Sequence, residues 1–143
     1  MDQKERIKLV APCGIDCGIC EAYTCRDNTK IFEYLVSRGI PASKLPCNGC
    51  RAIDGDCPTI GSKCETYICV SNKNKEYCFQ CSDYPCTMLL PAADRAEILP
   101  HNLKVFQLSM IEKHGVEHFL KESPALKLRY YKGKMMVGKG PQL

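Results

Sequence analysis

Residues 13–25 read Cys13-Gly-Ile-Asp-Cys17-Gly-Ile-Cys20-Glu-Ala-Tyr-Thr-Cys25. Four thiols in so short a run leave little room for a hydrophobic core. The same spacing returns downstream, where Cys47/Cys50 and Cys78/Cys81 repeat the C-x2-C step of Cys17/Cys20. Residues 20–25, 64–69 and 81–86 each read C-x2-Y-x-C, with Tyr23, Tyr67 and Tyr84 two positions before the closing cysteine. A C-x2-C turn aims two sulfurs at one ion while the intervening amides hydrogen-bond to them. Asn48 and Gly49, inside the second pair, are turn-forming residues.

All twelve cysteines of the 143-residue chain fall within residues 13–86. That span holds only thirteen Val, Ile, Leu, Met or Phe residues, whereas residues 87–122 hold fourteen and no cysteine. The first span buries too little apolar area to offset its conformational entropy unaided. Something must cross-link it. The expectation is a small metal-stabilised Cys-rich domain over residues 1–122, of α+β class. Mainly short α-helices and irregular zinc-knuckle loops with little β make up its first part. Amphipathic helices over 87–122 close it, and a basic tail or hairpin follows over 123–143.

Hydrophobic periodicity predicts a helix over 28–38, with Ile31, Phe32, Leu35 and Val36 on one face and Gly39 as its stop. Ser43 is expected to cap a short turn before Pro46. Residues 47–86 read as turns and loops, with a short strand over 76–79. A short helix is expected over 94–99. A longer one is expected over 102–114, with Leu103, Phe106 and Met110 inward, Val105, Leu108 and Ile111 flanking, and Gly115 ending it. Residues 116–121 add a further turn with Phe119 and Leu120 inward. Residues 126–131 and 134–137 are expected to pair as a hairpin around Lys132-Gly133, or to form a disordered tail.

Three chemistries compete for the thiols. Six disulfides suit the even count, but residues 1–12 lack the apolar run of roughly 7–15 residues that an export signal needs. A cytoplasmic location with reduced thiols is therefore expected. Iron–sulfur clusters use the same ligand, and the Cys13/Cys17/Cys20 spacing matches that of radical-SAM enzymes, whose barrel needs a far longer chain. Zinc suits all-sulfur sites without redox signals. Roughly two or three zinc ions are expected, with an iron–sulfur cluster as the alternative. Three four-thiolate zinc sites would take the formal net charge from +4 to −2, so the basic balance does not argue for nucleic acid.

At these residues the sequence resembles a prokaryotic family of small cysteine-rich proteins, the domain of unknown function 3795 family. The resemblance runs through residues 13–20, 47–50, 64–69 and 78–86, then a helical end over 102–122. It implies zinc binding at Cys13, Cys17, Cys20, Cys47, Cys50, Cys64, Cys69, Cys78, Cys81 and Cys86. It supplies no reaction, and Cys25 and Cys57 fall outside its pattern.

The remaining residues give weaker signals. Tyr23, Tyr67 and Tyr84 are expected to pack over metal and exclude water. Asp16 is expected to satisfy a nearby amide of the first loop. His114 and His118 are four apart, but Gly115 between them spoils a shared face, and a surface or core role is expected. His101 is expected to be solvated. No residue is assigned a catalytic role, and Cys25 or Cys57 would be the thiol to watch for one. Lys127, Arg129, Lys132, Lys134 and Lys139, with Tyr130 and Tyr131, suit phosphates and bases, so an RNA or a protein is the candidate partner. No run approaches the ~18 apolar residues of a membrane span, and neither a membrane nor a small-molecule substrate is expected. The chain thus reads as a zinc-binding interaction module, with a small iron–sulfur or thiol-redox protein as the alternative.

Overall fold

In a computed structural model of the chain, residues 1–89 and 103–143 are described. Among these residues the chain is mainly helical, with a two-stranded sheet. Helix α1 (Gln3–Lys8) starts at Asp2, whose carboxylate accepts from the Lys4 amide at 3.0 Å. Residues 9–17 then fold back on themselves. The Ala11 amide bonds the Ile15 carbonyl at 2.8 Å and the Cys17 amide bonds the Leu9 carbonyl at 2.9 Å. A 3-10 turn (Cys17–Ile19) leads into α2 (Glu21–Thr24) and a second 3-10 turn (Cys25–Asp27).

Helix α3 (Thr29–Ser37) matches its sequence signals. Asn28 caps it by accepting from the Ile31 amide at 3.2 Å, and Gly39 follows in the left-handed region. Leu35 is buried with Ile31 and Phe32 beside it, while Val36 faces water. The following 3-10 turn (Ala42–Lys44) starts at Pro41, so Ser43 lies inside the turn instead of capping it.

Between residues 47 and 86 the expectation of loops alone is corrected. Helix α4 (Glu65–Asn72) stands there and buries Thr66 and Val70. The Thr66 hydroxyl donates to the Met88 carbonyl at 2.9 Å, which ties α4 to the 3-10 turn Thr87–Leu89. No strand forms over 76–79. Gln80 Oε1 accepts from the Glu76 and Tyr77 amides at 2.9 and 3.1 Å, so neither amide is left for a neighbouring strand, and the 3-10 turn Cys78–Gln80 results. The helix expected over 94–99, and His101, lie outside the described residues.

Helix α5 (Leu103–His114) forms as expected and, Phe106 apart, turns the expected residues inward, with Val105 and Met110 packed against the core. Leu103, Lys104, Gln107, Leu108 and Ile111 are buried, and Phe106 is 47% exposed. The helix stripe is set by its neighbours: Leu108 lies against Gly14 and α6 covers the other side. Helix α6 (Val116–Lys132) corrects the reading of residues 123–131 as hairpin or tail. It runs on through Pro124 and buries Phe119, Ser123, Leu126 and Tyr130. Strands β1 (Lys134–Met136) and β2 (Gly140–Gln142) pair antiparallel, Met135 opposite Pro141. The hairpin therefore turns over 137–139 and not at Lys132-Gly133.

One apolar cluster joins the two parts of the chain. Val10, Val70, Tyr77, Cys78 and Leu89 from the cysteine-rich part pack with Leu108, Ile111, Phe119 and Leu126. A smaller cluster gathers Ala22, Cys25, Leu35 and Leu45. Among the described residues, no helix is long and apolar enough to cross a membrane.

Candidate metal centre

All twelve cysteines are among the described residues, and none is in a disulfide. The first C-x2-C pair is a 3-10 turn in which the Cys20 amide bonds the Cys17 carbonyl at 3.1 Å. Asp16 caps this turn, accepting from the Gly18 amide at 2.9 Å. The second pair is held beside it. The Cys50 amide donates to Cys17 Sγ at 3.5 Å, and the Cys47 amide bonds the Ala22 carbonyl at 2.7 Å. Within the second turn the Gly49 amide donates to Cys47 Sγ at 3.4 Å. The two turns thus face each other across a sequence separation of 33 residues, measured from Cys17 to Cys50.

The third pair repeats the local geometry. The Cys81 amide bonds the Cys78 carbonyl at 3.1 Å, and the Asp83 amide donates to Cys81 Sγ at 3.4 Å. The Cys78 amide reaches the Pro12 carbonyl at 2.9 Å, placing this turn next to Cys13. Lys73 Nζ lies 3.3 Å from Cys81 Sγ and 2.5 Å from Asp83 Oδ2. Asp83 first and Cys81 second hold the Lys73 ammonium well above its ordinary pKa. Cys64 and Cys69 stand on α4, one at its start and one within it.

Electrostatics divides the thiols into overlapping neighbourhoods. Burial pushes the Cys17 thiol up to about 12; the Cys50 amide opposes this, and Cys13, Cys20 and Cys47 add to it. Burial likewise raises Cys20, Cys47 and Cys50. Cys78 is pushed up to about 12, again by burial, with Cys13, Cys86, Cys69 and Cys81 contributing. Cys13 lies in both neighbourhoods. Without a cation these buried sulfurs are neutral thiols, because removing charge from water disfavours the thiolate.

The donor chemistry suits a borderline-soft cation, since several sulfurs already accept amide hydrogen bonds of the kind that stabilise bound thiolate. The side chains are not closed around a point. Among the described residues, no three Cys, His, Asp or Glu side chains converge as a metal ion requires.

A family model matches residues 9–91, described as Protein of unknown function (DUF3795). The chain belongs to this family. The DUF3795 match covers every cysteine and stops before α5, so α5 and α6 lie beyond it and not within it as expected. Comparison with the curated proteins and with the solved structures gave no match.

The two cysteines outside the expected pattern differ. Cys25 is buried and donates to the Ala22 carbonyl at 3.3 Å, a core role. Cys57 lies 3.1 Å from the Thr59 hydroxyl, and it acts on Cys20, Cys47 and Cys50. Cys57 is therefore close to the first two cysteine turns. No C-x2-C partner marked it in the sequence.

The tyrosines have separate partners. Tyr23 carries the Arg26 guanidinium over its ring at 3.8 Å, and Tyr67 donates to Asp54 at 3.3 Å. Tyr84 donates to the Val105 carbonyl at 3.2 Å, fixing the third cysteine turn to α5. His114 and His118 are both exposed, with ring centroids 5.1 Å apart despite Gly115. Of the basic residues, Lys127 is committed internally, to Glu21 at 2.7 Å and to the Ile19 carbonyl, and Tyr130 is buried.

Proposed function

We propose that the chain is a zinc-binding protein whose metal sites are structural and whose surface serves as an interaction module. The ligands are drawn from Cys13, Cys17, Cys20, Cys47, Cys50, Cys64, Cys69, Cys78, Cys81 and Cys86, with Cys57 as a further candidate. The observation that carries this reading is the meeting of two C-x2-C turns, with the Cys50 amide on Cys17 Sγ. Amide donors on Cys47 and Cys81 support it, because they prepare sulfur to hold negative charge. Ligation requires deprotonation of the thiols and rotation of their side chains. Bound zinc would supply compensating positive charge and cross-link the part of the chain poorest in apolar residues. Reduced thiols of this kind belong in the cytoplasm.

The test is elemental analysis of anaerobically purified protein, with zinc, iron and acid-labile sulfide counted per chain. Roughly two or three zinc ions without sulfide are expected. Iron with stoichiometric sulfide would replace this reading by an iron–sulfur one, and a chain purified anaerobically with neither zinc nor iron would end both.

A further inference from the structure

We propose that the β1–β2 hairpin docks on an anionic lipid surface. Met135 and Met136 at the end of β1 and Val137 in the turn are 44%, 46% and 104% exposed. Three neighbouring apolar residues exposed to this degree present a surface to be covered. Lys132, Lys134 and Lys139 flank them, all exposed. Residues 123–143 contain five Lys or Arg and no Asp or Glu, and of the five Lys127 is paired with Glu21.

This combination favours a bilayer over an RNA. Base recognition on a hairpin uses aromatic rings for stacking. Residues 134–142 contain none. Aliphatic side chains instead suit the boundary between headgroups and acyl chains, with lysines left at the phosphates.

The hairpin is also mounted firmly. Pro141 is buried, and a Cβ on Gly133 would come within 2.3 Å of the Arg129 carbonyl and 2.9 Å of the Gln142 carbonyl. Strand β2 is thus packed against the end of α6. Helix α6 is in turn held to the cysteine-rich part through Ser123 and Lys127. The apolar turn is therefore held in place at the end of the last helix.

The test is co-sedimentation of the full chain with vesicles of phosphatidylglycerol and phosphatidylcholine, against pure phosphatidylcholine vesicles. Fluorescence anisotropy with a single-stranded RNA runs beside it. Binding to the anionic vesicles alone is expected, weakening as salt rises. Val137→Asp should weaken it about tenfold or more by losing apolar burial. Lys134→Glu with Lys139→Glu should do so by a similar factor. All three positions are exposed, so circular dichroism should be unchanged. The proposal is overturned by absent vesicle binding, by equal binding to neutral vesicles, by binding that survives Val137→Asp, or by RNA binding in its place.

Discussion

Ser123, in the middle of α6, donates its hydroxyl to the Asp16 carboxylate at 2.5 Å, across a sequence separation of 107. The same carboxylate accepts from the Gly18 amide and from both terminal nitrogens of Arg6. Its side chain is 1% exposed and that of Arg6 22%. One acid thus joins α1, the first cysteine turn and α6. Asp16→Ala leaves the guanidinium, the hydroxyl and an amide without their acceptor. A loss of about 2–3 kcal/mol in urea denaturation is expected, with about 1 kcal/mol for Ser123→Ala. An Asp16→Ala variant as stable as the parent would show that this junction does not hold the fold together.

Pro124 follows within the same helix and is exposed. It has no N–H to offer the Leu120 carbonyl. The Ser123 hydroxyl is 3.4 Å from that carbonyl, but its single proton serves Asp16. The helix therefore continues through a position that opposes it. Pro124→Ala should restore the bond and raise stability by about 1–3 kcal/mol, measured by the same denaturation. An unchanged or lower midpoint would mean that the missing bond at Pro124 does not weaken the helix.

These two residues also explain what the sequence could not reveal. Ser123-Pro124 reads locally as a helix stop, and α6 continues through it with distant partners, Asp16 and Glu21 on its polar side and the core on Phe119 and Leu126. Asp16 itself was legible as a partner of loop amides, but the hydroxyl it would attract was not. Helix α3 was legible because Asn28 and Gly39 mark its ends within the local sequence. Helix α4 was hidden because it is short, holds few apolar residues and starts at Cys64, which makes no side-chain capping bond. On α5 the largest apolar residue, Phe106, is outside while Lys104 and Gln107 are buried. Periodicity names a stripe, and the neighbours decide which one is covered. The C-x2-C pairs were legible as turns. Which turns meet was not, since spacing carries no information about contacts 33 residues apart.

Gly49 offers a test of the meeting point. Its φ is +93°, and a Cβ there would lie 2.8 Å from the Leu9 side chain, itself buried. Gly49→Ala should cost about 1–3 kcal/mol from backbone strain and crowding. It also disturbs the amide that bonds Cys47 Sγ, so zinc affinity should fall about 10–100-fold by competition with a chromophoric chelator. Gly61→Ala is the control. It shares the left-handed φ, but nothing lies within 4 Å of its Cβ, so zinc affinity should be unchanged. Equal effects of the two on zinc would detach the second turn from metal binding.

The raised thiol pKa values separate the metal-free and zinc-bound proteins by pH. In the metal-free fold burial pushes the Cys17 and Cys78 thiols up to about 12, against roughly 8.5 for an unfolded cysteine. The unfolded chain therefore loses these protons first. The corresponding stability is fully present below about pH 8.5 and is lost as pH rises toward 12. Zinc reverses the sign, because protons compete with the ion for thiolate and the bound form weakens in acid. Urea midpoints at pH 5.5, 7.5 and 10, with and without chelator, should fall on the alkaline side for the stripped protein and on the acid side for the loaded one. If the loaded protein showed the alkaline loss, its buried sulfurs would still be carrying their protons and would not be bound to zinc.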